Sequence, residues 1–560
     1  MPNKILTPVT LWSDFTDSLP LNPESSAEWS GDGVTFRRIR FLGREAGGER
    51  VRIYALMGYP DTGKEYPGLL ILPDMFQTAD EELITFFAQK GYAVFMPDYR
   101  GVWDGANEYT VYPKSIEYAN TKLAGRHIDY ADQTARETSW YEWVAVARYA
   151  LRCMQFLGIR KTGAIGLHAG GDVLWQLAAL TGDLSCAVML CAGGWRAYRG
   201  IPKYGEEELK MDDERYRYIA AVDSQSYAQY VKCPVLMLCS TNDEEFDADR
   251  AYDTYARINP EMPKSFYFAT RYNGHTGNTG LKDLTVFLDK YLRDRTRFTP
   301  DPVAMSIEED GDDLVARVGI DLSGGELDYC DVFMSEDNLQ SWSRDWTRCR
   351  LKRDEGTAGR LYYLDYYEKS ERVFAYAKVR YKNGYAVSSK ITMKKIGRRY
   401  ANSLGTSRVI YCSSDGRDSF TVDNTSSKLM AGSFLRSDLI PIEWAVGPHG
   451  IKGIYSPYGL KTYRINDERY RPGENALLKF DVYGETAQKI AVSLFIAERG
   501  KAEKYTAFVS VSGAYAWSNR VLQAKDFKNA VNRPLSRIRD AKYITFSSEG
   551  RFFINNMLWL

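Results

Sequence analysis

The sequence predicts an α/β domain with a mostly parallel sheet, followed by two all-β sandwich domains. Up to about residue 298, short apolar runs alternate with segments of helical periodicity, which is typical of a parallel sheet flanked by helices. Two prolines on either side of Asp301 then indicate a linker near 297–302. Beyond this linker only short strand-like runs separated by turn residues follow. We therefore expect three domains, at 1–298, 299–400 and 401–560.

The first domain contains both kinds of periodic segment in alternation. Strands are predicted at Val51–Met57, Gly68–Leu72, Ala93–Pro97, Gly163–Leu167, Ala187–Cys191, Val235–Cys239 and Ser265–Ala269. Helices are predicted at Asp80–Lys90, Thr138–Leu157, Gly170–Leu180, Ala248–Ile258 and Leu281–Leu292. Ser139 and Glu142 have the spacing of a capping box at the start of the second helix. Two polar, Tyr-rich stretches, 102–137 and 195–230, are longer than a connection requires and are expected to cover a site.

The second half predicts antiparallel sheets. Between 299 and 400, alternating runs such as Val373–Tyr381 lead into Lys382–Tyr385, where Asn-Gly predicts a tight hairpin. This pattern favours an immunoglobulin-like or fibronectin-like sandwich. The last segment favours a jelly roll, with strands predicted at Ala476–Val482, Ile490–Ile496, Tyr505–Val511, Tyr543–Phe546 and Phe552–Leu560.

Composition excludes several classes of function. The 73 Lys and Arg residues balance 73 Asp and Glu residues, so we expect neither nucleic acid nor an anionic membrane as a partner. No apolar stretch reaches the roughly 18 residues of a membrane span, and the first residues do not resemble an export signal. We therefore predict a cytoplasmic protein. The 8 cysteines form no CxxC pair and only 4 histidines occur, so we predict reduced, mostly buried thiols, no metal site and no cofactor.

The segment Gly166–Gly171 has the features of a nucleophile elbow. It lies directly between a predicted buried strand and a predicted helix, and Gly166, Ala169 and Gly170 are small enough for such a sharp turn. The residue at its centre is His168, where acyl transfer requires a hydroxyl, thiol or carboxylate nucleophile. Histidine tolerates a positive φ better than most residues, so the turn survives this exchange.

Two further residues have the chain order of a catalytic triad. Asp243 comes 75 residues after His168 at the centre of the elbow, and His275 comes 32 residues after Asp243. In a working triad the acid would orient the imidazole, and the imidazole would accept the proton of the nucleophile. An oxyanion hole would use the backbone N–H of Ala169 and a second one near Met75 or Phe76.

Residues of about 35–295 resemble the α/β-hydrolase superfamily and, within it, dienelactone-hydrolase-like proteins. Three segments carry the resemblance, namely Leu72–Phe76, Lys90–Gly101 and Gly166–Gly171, and the last matches the pattern G-x-C-x-G-G except at its central cysteine. The resemblance implies an ancestor that cleaved esters or lactones. It also implies that Asp74 lies beside the elbow, where the family places a carboxylate that is usually Glu. The β half resembles sandwiches appended to carbohydrate-active proteins.

Three hypotheses about function follow. The first is a protein that has lost nucleophilic catalysis at His168 but retains a pocket for a small-molecule ester, lactone or glycan-derived ligand. The second is an active hydrolase or general-base enzyme that uses His168, Asp243 and His275 as its catalytic residues. The third is a scaffold or carbohydrate-binding protein that acts through the C-terminal β domains. A homo-oligomer stays open in all three.

Overall fold

Nine strands form one large sheet at the start of the chain. A computed structural model describes residues 5–62, 65–274, 277–295, 302–320, 322, 325–356, 359–422, 442–498 and 501–560. The strands of the first sheet are β1 Glu24–Gly31, β2 Val34–Ala46, β3 Glu49–Pro60, β4 Gly68–Leu72, β5 Ala93–Asp98, β6 Thr162–Leu167, β7 Leu184–Leu190, β8 Val235–Ser240 and β9 Lys264–Ala269. Their order is β1-β2-β3-β5-β4-β6-β7-β8-β9, antiparallel up to the β3–β5 pair and parallel from β5 to β9.

Helices cover both faces of the parallel strands. They are α1 Pro8–Leu11, α2 Glu81–Gln89, α3 Ser139–Phe156, α4 Ala169–Leu180, α5 Asp213–Ala221, α6 Ser224–Tyr227, α7 Ala248–Ala256 and α8 Gly277–Arg293. The side chains of α3, α4 and α7 share one apolar core with one face of the sheet. Those of α2 and α8 share a second core with the other face. This three-layer arrangement and strand order are the α/β-hydrolase fold, as predicted, with one further antiparallel strand at β1.

Two local features of this part differ from expectation. Strand β1 was not predicted, because it is exposed along most of its length and carries no apolar alternation. Strand β2 was also missed, although its buried residues Val34, Phe36, Ile39 and Phe41 are apolar. Helix α3 is capped one residue earlier than predicted, since the hydroxyl of Thr138 accepts the N–H of Tyr141. Glu142 does not take part in a capping box, because it is buried and forms an ion pair with Arg44.

The middle sandwich, β10–β18, contains two antiparallel sheets. Its strands are β10 Ala304–Asp310, β11 Asp313–Gly319, β12 Leu327–Glu336, β13 Thr347–Arg348, β14 Leu351–Asp354, β15 Arg360–Tyr363, β16 Arg372–Tyr381, β17 Ala386–Ser388 and β18 Thr392–Lys395. The predicted hairpin joins β16 to β17, but only Gly384 of its turn has a positive φ, of 91°. The predicted linker at 297–302 lies, apart from Pro302, outside the described residues.

The C-terminal sandwich, β19–β29, consists of a six-stranded and a five-stranded sheet. Its strands are β19 Val409–Tyr411, β20 Thr421–Val422, β21 Glu443–Val446, β22 Lys452–Tyr455, β23 Leu460–Thr462, β24 Leu478–Gly484, β25 Ala487–Glu498, β26 Lys501–Ser512, β27 Ser518–Leu522, β28 Tyr543–Ser547 and β29 Phe552–Trp559. All described pairings are antiparallel, and the two sheets enclose one apolar core in which the rings of Phe480 and Phe546 meet at 5.3 Å.

One loop of the middle sandwich joins all three parts of the molecule. In this junction loop, residues 339–346, the guanidinium of Arg344 forms two hydrogen bonds of 2.6 and 2.8 Å to the carboxylate of Asp249 in α7. The side-chain amide of Asn242 donates to the carbonyls of Arg344 and Trp342, at 2.8 and 3.1 Å. From the C-terminal sandwich, the amide of Asn466 donates to the carbonyl of Ser343 at 3.2 Å. The junction loop therefore contacts the residue directly before Asp243.

Candidate functional site

The turn between β6 and α4 has the geometry of a nucleophile elbow. His168 occupies its apex with φ 47° and ψ −112°, a conformation that few residues with a side chain adopt. Its N–H donates to the carbonyl of Leu190 in β7 at 2.9 Å, and its carbonyl accepts the N–H of Asp172 at 3.0 Å. The backbone on both sides of the imidazole is therefore held by hydrogen bonds.

The glycines around this apex allow three chain segments to come close together. A Cβ on Gly170 would lie 2.1 Å from the carbonyl oxygen of Leu72, and one on Gly166 would lie 2.5 Å from the oxygen of Gly170. A Cβ on Gly171 would meet the side chain of Ala192 at 2.4 Å. The small residues predicted for this turn are thus required by contact with the ends of β4 and β7.

Asp243 faces His168 without forming a hydrogen bond to it. Its Oδ1 accepts the N–H groups of Glu245 and Phe246, at 2.8 and 3.1 Å, which orients the carboxylate. Its Oδ2 lies 3.9 Å from Nε2 of His168, too far for a hydrogen bond. Both atoms are buried, and apart from the weak S–H group of Cys191 near Asp243, no donor or acceptor among the described residues pairs with either of them. Burial raises the pKa of Asp243, and the nearby His168 opposes this rise.

Cys191 completes a group of three side chains at the same point. It follows β7 with a positive φ of 49°, and its Sγ lies 3.2 Å from the hydroxyl of Ser240. A ring nitrogen of His168, the sulfur of Cys191 and a carboxylate oxygen of Asp243 all lie within 4.8 Å of one another. Burial raises the pKa of the Cys191 thiol well above its usual value, with Asp243 adding to the rise. Cys191 is buried in the apolar core, as the sequence predicts for most of the cysteines. Its position at the carboxyl end of β7 was the available signal that it also lies beside the elbow.

The predicted oxyanion-hole donor is already engaged. The backbone N–H of Ala169 donates to Oδ1 of Asp74 at 3.3 Å, and the side chain of Asp74 is buried. Met75 is also buried, whereas Phe76 is 54% exposed, with its ring 6.4 Å from that of Trp103. Asp74 thus lies beside the elbow, where the resemblance implied a carboxylate.

The remaining histidines lie apart from this group or outside the described residues. His275 belongs to residues 275–276, which are not described. The imidazole of His127 contacts the carbonyl of Glu137 through Nδ1 and stacks on the ring of Tyr118 at 4.4 Å. His449 lies in a turn of the C-terminal sandwich with a φ of 59°.

A cavity of about 560 Å³ lies where the three parts of the molecule meet. The residues that line it are Asp129, Tyr130, Arg196, Ala197, Arg199, Gly200, Arg215, Tyr218, Glu244, Glu245, Gln340, Trp342, Phe495, Ile496, Ala497, Ala502 and Tyr543. We call this space the junction cavity. His168 does not line it, but a smaller cavity of about 40 Å³ shares several of these residues and reaches Asp243. The junction cavity therefore lies next to the acid of the elbow rather than above the imidazole.

The wall contributed by the two sandwiches is aromatic. The rings of Phe495 and Tyr543 stack at 4.4 Å with an interplanar angle of 22°, and Trp342 meets Tyr543 edge-on at 6.5 Å. Glu244 accepts from the hydroxyl of Tyr543 at 3.4 Å and lies 3.7 Å from the ammonium group of Lys461. A flat apolar surface thus adjoins an oriented carboxylate.

The opposite wall comes from the two stretches expected to cover a site. Arg215 donates to the carbonyl of Ala197 at 2.8 Å and to the hydroxyl of Tyr130 at 3.2 Å. Arg196 forms an ion pair with Asp172 at 3.4 Å, one turn along α4 from the elbow. Neither stretch is a simple loop, since 102–137 contains 3-10 turns and 195–230 contains α5 and α6.

Three tyrosines of the first stretch, Tyr109, Tyr112 and Tyr118, do not line the cavity. Tyr112 is buried and donates to the carbonyl of Tyr99 at 2.7 Å, and Tyr118 packs against His127. The covering role of this stretch thus falls to Asp129 and Tyr130.

Within the described ranges, no helix is both long and apolar enough to cross a membrane.

The sequence matches no protein-family model and no curated protein. Among solved structures, an acetyl xylan esterase from Paenibacillus sp. R4 is similar to 49% of this chain over 90% of its own, with 14% identity and a TM-score of 0.37. A cold-adapted esterase from an Arctic intertidal metagenomic library matches 48% over 98% of its own chain, with 15% identity and a TM-score of 0.34. A putative dienelactone hydrolase from Klebsiella pneumoniae matches 47% over its whole length, with 14% identity and a TM-score of 0.32.

Proposed function

We propose that this α/β-hydrolase-fold protein binds a small ester, lactone or glycan-derived molecule and does not cleave it by nucleophilic catalysis. The observation that carries the proposal is the state of the elbow. An imidazole stands at its apex, and the N–H of Ala169 that would stabilise an oxyanion donates instead to the carboxylate of Asp74. Esterase or lactonase ancestry, implied by the resemblance, is part of this proposal.

Electrostatics argue against acyl transfer at such an elbow. A tetrahedral intermediate needs N–H donors aimed at its negative oxygen. The carboxylate of Asp74 would both occupy the donor of Ala169 and repel the developing charge. In addition, the 3.9 Å gap between His168 and Asp243 leaves the imidazole without the hydrogen bond that orients a catalytic base.

The junction cavity supports the choice of ligand class. Sugars and sugar esters present flat C–H faces that pack on aromatic rings, and hydroxyl groups that bond to carboxylate, amide and guanidinium groups. The cavity offers the rings of Trp342 and Phe495 for the first kind of contact. Tyr543 adds its ring edge, since Phe495 stacks on it and the ammonium group of Lys461 lies 3.7 Å from its ring centre. Glu244 and Arg215 offer the second kind of contact. Two of these rings belong to the C-terminal sandwich. A ligand bound in the cavity would therefore contact both the first domain and the β domains, so the hypotheses of a ligand pocket and of a carbohydrate-binding β half combine into one proposal.

Binding without turnover is the testable consequence. The full-length protein is incubated with p-nitrophenyl acetate, dihydrocoumarin and acetylated methyl glycosides, and hydrolysis is measured above the buffer rate. In parallel, maltose, cellobiose, lactose and the same methyl glycosides are titrated by isothermal calorimetry, which does not depend on any tryptophan. We expect saturable binding of at least one sugar-type probe and no hydrolysis. Trp342→Ala should abolish the binding, because it removes an aromatic wall of the cavity.

Trp444→Ala is the matched control, since Trp444 is 41% exposed and does not line the junction cavity. A product burst, or an acyl adduct on His168 that disappears in His168→Ala, would establish the active enzyme in place of this proposal. Binding that Trp342→Ala leaves intact would move the ligand to another site.

A further inference from the structure

We infer that His168, Cys191 and Asp243 form a binding site for one divalent metal ion, with Zn²⁺ as the ion that fits best. The inference differs from the prediction of no metal made from the small number of histidines. It does not depend on the proposed ligand of the junction cavity. The three ligand atoms would be Nε2, Sγ and Oδ2.

The topology brings the three side chains together. They follow β6, β7 and β8, which are neighbours in the sheet and run parallel, so their carboxyl ends lie side by side. Although Cys191 is 23 and Asp243 is 75 residues from His168 along the chain, all three ligand atoms lie within 4.8 Å of one another. No other group of three such atoms meets the same criterion within the part of the chain that the structure describes.

The separations suit a shared ion better than direct hydrogen bonds. Zinc bonds of about 2.0–2.1 Å to nitrogen and oxygen place two tetrahedral ligands about 3.4 Å apart. The observed 3.9 Å between Nε2 of His168 and Oδ2 of Asp243 exceeds this by about half an ångström, which a small side-chain rotation closes. As a direct contact, the same separation is too long for a hydrogen bond.

The unsatisfied atoms of the group point to a cation. The side chain of Asp243 has no solvent exposure, and the weak S–H group of Cys191 is the one side-chain donor that approaches its unsatisfied Oδ2 among the described residues. A buried carboxylate with so weak a donor is costly, and a metal ion would provide the missing positive charge while it replaces the thiol proton. The buried Nε2 of His168 has no hydrogen-bond partner in the described part.

The outer contacts already hold two of the ligands in place. The N–H groups of Glu245 and Phe246 fix the other oxygen of Asp243, and the hydroxyl of Ser240 contacts the sulfur of Cys191. Such second contacts orient metal ligands and raise their affinity. The site is therefore organised before any ion arrives.

The donor set selects the metal. One imidazole, one thiol and one carboxylate favour Zn²⁺ over Mg²⁺ and Ca²⁺, which prefer oxygen donors alone. Three protein ligands leave one coordination position open, as in zinc sites that bind a further ligand. The imidazole of His168 is the most exposed of the three ligand side chains, at 13% against 4% for Cys191, so the open position would lie on its side. On binding, the Cys191 S–H bond is replaced by a zinc–sulfur bond, and the proton passes to the buffer.

Metal titration of the full-length protein tests the inference. Chelator-treated protein is titrated with ZnCl₂ by calorimetry in buffers of different ionisation enthalpy, and with CoCl₂ while the ultraviolet and visible spectrum is recorded. We expect one ion per chain, release of about one proton from the thiol and a cobalt–thiolate charge-transfer band. Cys191→Ser should remove that band, and His168→Ala should weaken Zn²⁺ binding about 10-fold or more.

Two controls separate loss of the site from loss of the fold. Cys186→Ser alters another buried thiol, in β7 itself, and should keep the cobalt band. Because the ring of His168 is partly exposed, we expect His168→Ala to fold. Thermal unfolding of this variant and of the parent without metal checks that expectation. Zn²⁺ should then raise the Tm of the parent but not that of the variant. Absence of binding, or binding unchanged in both Cys191→Ser and His168→Ala, would overturn the inference whatever the protein does with sugars or esters.

Discussion

At the scale of single residues, the geometry of the elbow is set by its backbone and its neighbours rather than by the side chain at its apex. The left-handed conformation of His168 depends on close contacts of Gly166 and Gly170 and on a hydrogen bond to β7, none of which involves the imidazole. The contact of Asp74 does not involve the imidazole either. Its carboxylate accepts the backbone N–H of Ala169, the donor that a substrate oxygen would need. A different side chain at residue 168 should therefore leave the turn intact.

Asp223 provides a prediction at this scale. The residue is buried before α6 and accepts the N–H of Ala197 at 3.3 Å. Burial, with the nearby carboxylate of Asp172, raises its pKa to about 6. Since the folded pKa lies above the unfolded one, the folded state holds the proton more tightly. The resulting stability is present below about pH 4 and is lost as the pH rises to about 6.

We therefore expect Asp223→Asn to raise the free energy of unfolding at pH 7.5 by about 1–3 kcal/mol, and to leave it nearly unchanged at pH 4. Urea denaturation of parent and variant at both values measures this difference. A variant that is less stable by the same amount at both pH values would contradict the assigned cause.

At the scale of elements, the packing of α4 against the end of β4 gives a second prediction. Gly170→Ala should destabilise the protein by about 3 kcal/mol, because the new Cβ would meet two backbone oxygens, of Leu72 and Pro73, within 2.3 Å. Gly182→Ala is the control, since no atom lies within 4 Å of its added Cβ. We expect a change within about 0.5 kcal/mol for the control, measured by urea denaturation. Equal effects of the two substitutions would contradict the close contact.

Elements with a strong periodic signal could be predicted from the sequence. Strands such as β4 and β6 are buried on both faces and appear as continuous apolar runs, so their bounds were predicted to within about one residue. The exposed strand β1 carries no such signal and was missed. The start of α3 was misplaced because Thr138 and Ser139 are both good caps, and only their contacts with neighbouring segments distinguish them.

The candidate site was predictable only in part. The elbow and Asp243 follow from local sequence patterns at strand ends. The engagement of Ala169 by Asp74 and the approach of Cys191 arise from strand pairing between distant segments, which no local pattern specifies. The junction cavity was even less predictable from the sequence, because the sandwich residues that line it have ordinary core or surface patterns.

At the scale of the whole molecule, the ion pair between Arg344 and Asp249 fixes the middle sandwich to the first part. Both side chains are almost completely buried, and their contact is bidentate. Loss of one partner would leave the other charge buried and unpaired. We expect Arg344→Met to lower the free energy of unfolding by about 3–5 kcal/mol.

The double variant Arg344→Met/Asp249→Leu should recover a large share of that loss, because it removes both charges. Arg399→Ala is the control, since the side chain of Arg399 is 71% exposed and pairs with Glu368 at the surface. Denaturant unfolding of the parent, of Arg344→Met, of Asp249→Leu and of the double variant measures the coupling energy, with Arg399→Ala measured alongside. A double variant no more stable than Arg344→Met would show that the loss comes from packing rather than from the stranded charge.

The junction cavity has a consequence for how this molecule could diversify. Its lining includes residues 495–497 and 502, of which Phe495 is aromatic, and these residues lie at the paired ends of β25 and β26, away from the sheet that carries the elbow. Substitutions or insertions in that one hairpin would reshape the opening without disturbing the nine strands beneath. Related chains could thus acquire different preferences through a short peripheral segment, as antibodies do through their loops, on an unchanged foundation.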